Sequence, residues 1–112
     1  MIAKKHRINR EFIPYILKKG ESKKSGLFII RFTKNQEKSS RFRVIVSKKI
    51  HPKAVKRNYL RRQIYEAIRE SSKEITDNKK LDIIFIPKKT ILKNNYQEIK
   101  KDIKEILQKV IK

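Results

Sequence analysis

The chain has 112 residues and a formal net charge of +21, from 32 Lys and Arg against 11 Asp and Glu. That length suits one domain spanning 1–112, and the absence of cysteine excludes a disulfide framework, a thiolate metal site and a cysteine nucleophile. Apolar residues make up 38% of the chain in short runs such as Leu27–Ile30 and Ile83–Ile86, enough for one modest core. A membrane-spanning helix would need about 20 such residues in a row. Residues 1–8 read as a basic, flexible arm with no apolar stretch behind the charges, unlike a secretory signal, so the expected compartment is the cytoplasm.

Asn9 stands where a helix N-cap would, Glu11 suits the positive helix end, and Phe12, Ile13, Ile16 and Leu17 follow at helical spacing up to Gly20. Pro14 is awkward inside such a helix and predicts a bend at its start. Glu21–Gly26 is polar, a turn with a short edge strand. Leu27–Thr33 and Arg41–Ser47 read as strands, the second alternating Phe42, Val44 and Val46 with Arg43 and Ile45. The six polar residues 35–40 predict a hairpin loop between them. Residues 47–53 form a connection, with Pro52 just ahead of the next helix.

The strongest helix is Ala54–Glu70. Leu60, Ile64, Ala67 and Ile68 form its buried stripe. Asn58, Arg62, Tyr65 and Arg69 predict a basic, hydrogen-bonding face with Arg61 beside it. After a polar loop, Leu81–Ile86 is almost continuously apolar and reads as a central strand buried on both sides. Tyr96, Ile99, Ile103, Ile106, Leu107 and Val110 then define an amphipathic last helix. Helix, strands, helix, strand, helix make an α+β chain: a two-layer α/β sandwich with a small mixed sheet. The segment 41–86 would be a β-α-β unit, right-handed by the ordinary rule.

Residues 1–70 carry 21 basic and 5 acidic side chains, net +16, against net +5 over 71–112. Such an excess calls for a polyanionic partner, nucleic acid or an anionic membrane. The last helix mixes Glu98, Asp102 and Glu105 with lysines on its polar face, which disfavours a membrane. Protein-side catalysis is poorly supplied. His6 and His51 lack partners at metal-ligand spacing, a lone loop histidine is most often solvated, and the carboxylates are scattered. Phosphate binding is well supplied by Lys48, Lys49, Lys53, Lys56, Arg57, Asn58, Arg61 and Arg62. Phe12 or Tyr15, with alternate side chains of the strand 27–33, could line a groove for unpaired bases. Phe28, Ile30 and Phe32 share one strand face and Leu27, Ile29 and Arg31 the other, and one face must enter the core.

Phe42-Arg43-Val44-Ile45-Val46-Ser47-Lys48-Lys49-Ile50, followed by Lys53-Ala54-Val55-Lys56-Arg57-Asn58-Tyr59-Leu60-Arg61-Arg62, resembles the bacterial ribonuclease P protein subunit. Phe12 and Gly20, Asp82-Ile83-Ile84, and Tyr96 with Glu98-Ile99 fit the same family. Tyr59 departs from its Arg-Asn-Arg motif, His51-Pro52 stands where the family usually has one Gly, and Ile30 or Arg31 stands where it often has an aromatic. The resemblance implies a left-handed β-α-β crossover. It also implies an accessory role in an enzyme whose catalytic RNA, with Mg²⁺ bound mainly by that RNA, removes the 5′ leader of precursor tRNA. Phe12, Phe28, Ile30 and Ser47 would hold the leader, and the basic residues named above would dock on the RNA. No membrane and no small-molecule substrate is expected. The competing reading is a ribosome-associated or general RNA-binding protein.

Overall fold

The computed structural model describes residues 6–111. A 3-10 turn over Arg10–Phe12 leads into α1 (Ile13–Lys19). The α-helix proper therefore starts late enough for Pro14 to fall in its first turn, where a missing N–H costs nothing. Asn9 precedes the turn but caps it only through its carbonyl, which accepts the Phe12 N–H at 3.0 Å. Gly20 ends α1 in extended geometry. A Cβ there would lie 2.5 Å from the Ile16 carbonyl and 3.0 Å from that of Phe32, so close backbone approach demands the glycine.

Four strands follow: β1 (Glu21–Lys24), β2 (Phe28–Lys34), β3 (Arg41–Val44) and β4 (Leu81–Pro87). The helix α2 (Ala54–Lys73) joins β3 to β4, and a 3-10 turn over Lys89–Lys93 precedes α3 (Tyr96–Ile111). Asn95 and Glu98 open α3 with a reciprocal capping box: the Glu98 N–H donates to Asn95 Oδ1 at 2.9 Å and the Asn95 N–H to Glu98 Oε1 at 3.0 Å.

The sheet order is β1-β2-β4-β3. The hairpin expected between 27–33 and 41–47 does not form. The antiparallel hairpin is β1 with β2, while β4 enters between β2 and β3, antiparallel to the first and parallel to the second. Because β4 is the most apolar segment and is buried on both faces, it gains most from the centre. The loop 35–40 steps over the start of β4 and is held there. The Leu81 N–H donates to Ser40 Oγ at 2.9 Å, and the Asn35 N–H to the Lys80 carbonyl at 3.0 Å.

Hydrogen bonding determines the hand of the crossover. Phe85 turns its side chain into the core it shares with α2 and gives its carbonyl to the Ile45 N–H at 3.0 Å. Seen from the side-chain face with the strand running upward, an L-residue points its N–H and C=O to the right, so β3 lies to the right of β4. A chain that climbs β3, passes through α2 in front and enters β4 on the left makes a left-handed crossover, the rare hand.

The helices α2 and α3 cover one face of the sheet, burying Phe28, Ile30, Phe42, Val44, Ile83 and Phe85 with Leu60, Ile64, Ile68, Ile99 and Ile103. On the other face, α1 packs Ile16 against Ile84 and Ile8. The flexible arm expected over 1–8 is corrected from Arg7 onward, residues 1–5 lying outside the described residues. Arg7 bridges Phe42 in parallel, the Ile8 N–H donates to the Phe42 carbonyl at 3.2 Å, and Ile8 is buried. An apolar side chain and an unpaired sheet edge together tie the segment down. Ile64 is fully buried at the centre of the α2 stripe. Ile64→Ala should cost about 2–5 kcal/mol in urea or thermal unfolding, and an unchanged midpoint would contradict this packing.

Candidate RNA interface

The α1 side of the sheet and the edge of β3 build a groove of about 380 Å³ lined by Arg7, Arg10, Arg43 and Arg61 over Ile13, Ile45 and Tyr65. Alternation along β3 sends Phe42 and Val44 into the core and leaves Arg41, Arg43 and Ile45 on this side. The β-bridge at Arg7 brings the segment before α1 alongside. Arg61 comes from α2, where its guanidinium donates to Asn58 Oδ1 at 2.6 Å. Tyr65, expected on the basic face, is buried instead. Its hydroxyl accepts the Val44 N–H at 3.0 Å, satisfying an edge donor of β3, and the Arg7 guanidinium lies over its ring at 5.1 Å.

Two of the four expected groove residues are misplaced. Phe28 and Ile30 are fully buried on the opposite sheet face, Phe28 edge-on to Phe85 at 5.4 Å between ring centres. Alternation pointed this way: Phe28, Ile30 and Phe32 make a wholly apolar face that suits the larger core under α2 and α3, whereas the other face mixes Ile29 with Arg31 and Thr33. The side chains of β2 on the α1 side are Ile29, Arg31 and Thr33, and Arg31 donates to the Leu17 carbonyl at 2.8 Å. Ser47 is exposed just past Val46, which lines the groove.

Phe12 is 41% exposed, with the Arg41 guanidinium over its ring at 5.5 Å. Arg41 is itself anchored by Asp82, which accepts its Nε at 2.8 Å and its Nη2 at 2.7 Å and also takes Asn35 Nδ2 at 2.8 Å. The hydrogen bonds it donates to Asp82 hold the guanidinium pKa above its ordinary value, against the opposing effect of burial. An aromatic platform thus rests on a fixed cation, two residues along β3 from Arg43.

The basic residues expected to dock on RNA sit mainly at the N-terminal end of α2. Lys48, Lys49, Lys53, Lys56, Asn58 and Arg62 are exposed, and Arg57 is half-buried. Arg57 also braces the connection into α2, its Nη1 donating to the carbonyls of His51 and Pro52 at 3.0 and 2.8 Å. His51 serves the same turn, its Nδ1 accepting the Lys53 N–H at 3.1 Å. Arg61 and Arg62 diverge, the first toward the groove and the second toward α3. Glu66 pairs with Arg69, their hydrogen bond drawing the carboxyl pKa down. Among the described residues, no group of three or more His, Asp or Glu side chains stands where it could hold a metal ion, and no helix is long and apolar enough to cross a membrane.

Sequence reading missed Arg7, Arg10 and Arg43. The alternation of Arg43 with Phe42 and Val44 was the available signal for one of them; the other two needed the bridge to β3. This basic surface lies on a chain whose residues 2–111 match the family model for ribonuclease P. The chain belongs to the ribonuclease P protein family. The ribonuclease P protein component of Bacillus cereus strain B4264 is 34% identical over 111 residues, covering 96% of this chain and 93% of that protein. The component from Thermotoga petrophila is 38% identical over 85 residues, covering 76% and 69%. Among solved structures, the RNase P protein from Thermotoga maritima superposes with a TM-score of 0.80 at 28% identity, covering 93% of this chain and 96% of that one. The Staphylococcus aureus RNase P protein gives 0.75 at 29% identity, covering 96% and 98%. The ribonuclease P family processes the 5′ ends of tRNA together with an RNA subunit, and that is the role of this chain.

Proposed function

We propose that this chain holds the single-stranded 5′ leader of precursor tRNA in the arginine groove, while the ribonuclease P RNA docks on the N-terminal end of α2 and carries out the hydrolysis. The convergence of Arg7, Arg10, Arg43 and Arg61 on one groove with an apolar floor is the observation that supports it. Guanidinium groups stay protonated and give fork-shaped donor sets to phosphate oxygens, so they bind and orient a backbone without exchanging protons with it. Ile13 and Ile45 offer the bases an apolar floor, and Phe12 on its Arg41 support offers a stacking face. Lys48, Lys49, Lys53, Lys56, Asn58 and Arg62 would meet phosphates of the RNA, with Arg57 shaping the turn that presents them. Mg²⁺ would be held mainly by the RNA, where the hydrolysis would take place.

Purified protein should support cleavage of precursor tRNA at the mature 5′ end only when ribonuclease P RNA and Mg²⁺ are also present. Cleavage by the protein alone after exhaustive RNA removal would place the chemistry in this chain. RNA binding with no help to cleavage would favour a general RNA-binding role. Within the active complex, Arg43→Ala should weaken affinity for precursor tRNA about tenfold, roughly one charge-assisted contact, and leave affinity for mature tRNA unchanged. Equal losses for both substrates would remove the leader from this groove.

A further inference from the structure

The outermost stripe of α2 carries two uncovered apolar side chains, Val55 at 76% and Tyr59 at 57% exposure. Spaced four residues apart, they stand one above the other. Tyr59 borders a shallow groove of about 400 Å³ between α2 and α3, completed by Arg62, Gln63, Glu66 and Tyr96. The Glu66 carboxylate is held by Arg69 at 3.1 Å, so its charge is already engaged. Tyr96 is fixed by donating its hydroxyl to Glu70, and burial together with that carboxylate keeps the phenol protonated by pushing its pKa up. Gln63 Nε2 donates to the Tyr59 hydroxyl at 3.4 Å. Arg62 makes no hydrogen bond or ion pair with the described residues.

We propose that this groove receives one unpaired base of the RNA subunit, stacked on the Tyr59 ring, with the adjoining phosphate on Arg62. The occupant follows from charge and shape. Exposed Lys56 and Arg62 stand three residues before and after Tyr59 on α2, Arg62 lining the same groove, on a chain of net charge +21, so a polyanion is drawn to this helix face. Once its phosphates are bound there, a phenol with an open face favours a base over solvent. The stacked base rests on the docking of RNA along α2 proposed above and adds a contact that phosphate binding alone would not supply.

Wild type, Tyr59→Phe and Tyr59→Ala would each be assembled with a bacterial ribonuclease P RNA. Dissociation constants would be measured over a salt series, and unpaired bases probed with a base-methylating reagent. Tyr59→Ala should weaken binding about 5- to 100-fold, keep the salt slope of wild type, and expose to methylation one base that wild type protects. Tyr59→Phe should behave as wild type in all three. The substitutions lie at an exposed position, and thermal melts would check that each variant is folded. Unchanged affinity and protection in Tyr59→Ala would overturn the stacked base. So would a loss in Tyr59→Phe equal to that in Tyr59→Ala, which would reduce the contact to the hydroxyl. A wild-type protein that does not bind the RNA would instead remove the docking reading, and this inference with it.

Discussion

Asp82→Ala should destabilise the protein by about 3–5 kcal/mol, the usual consequence of stripping one partner from a buried ion pair. Asp82 and Arg41 have side chains only 7% and 14% exposed and are joined by a two-pronged contact, Nε at 2.8 Å and Nη2 at 2.7 Å. Without the carboxylate, the guanidinium would be left enclosed with only the distant Glu37 at 3.8 Å, and Asn35 Nδ2 would lose its best acceptor. The loop that steps over β4 would loosen together with β3. In a domain of this size the loss corresponds to a fall in melting midpoint of at least roughly 10 °C. Asp82→Asn keeps an acceptor in the same place and should lose clearly less. The functional consequence is separable, because Arg41 also underlies the Phe12 ring. Below its own melting transition, Asp82→Asn should weaken precursor tRNA binding in the assembled enzyme while sparing mature tRNA. A melting midpoint within about 2 °C of wild type for Asp82→Ala would show that the pair contributes little.

Affinity for the ribonuclease P RNA should fall by about a thousandfold when monovalent salt is raised from about 50 to about 200 mM. Each phosphate neutralised contributes roughly −0.7 to −0.9 to the slope of log affinity against log salt, so about six contacts give a slope near −5 over a fourfold change. Lys48, Lys49, Lys53, Lys56, Arg57 and Arg62 at the N-terminal end of α2 can supply them. Arg62→Ala is the cleaner single test, since Arg62 holds nothing else in place among the described residues, whereas Arg57 also braces the carbonyls of His51 and Pro52. Arg62→Ala should reduce the slope by about one and leave the melting midpoint unchanged. A nearly flat salt dependence would show that binding does not run through phosphates.

Helix positions were legible because a period of about 3.6 survives in the chain wherever one face is oily. Leu60, Ile64, Ala67 and Ile68 mark α2, and the Tyr96–Val110 stripe marks α3. The placing of Lys48, Lys49, Lys53 and Lys56 on the surface was legible for a related reason: lysines are almost never fully buried unless paired. The family motif lies in this same stretch, and it implied the left-handed crossover that the general rule argued against.

Other features emerged only on folding. Phe28 and Ile30 turned away from the groove because α2 and α3 both pack on one side of the sheet, where the larger core takes the wholly apolar face of β2 and leaves Ile29, Arg31 and Thr33 on the α1 side. The strand order depended on β4 entering where the local pattern suggested a hairpin, its Asp82 held to Asn35 of the loop after β2 across 47 residues of chain. Tyr65 left the helix surface to satisfy an N–H at the edge of β3. Arg7, Arg10, Arg43 and Arg61 became one groove only through the bridge at Arg7 and the seating of α2 against β3. Which residues carry charge, which helices form and to which family the motif points are local properties, readable along the chain. Which apolar face is buried, which strands pair and which cations meet depend on contacts between distant segments, and those exist only once the chain has closed on itself.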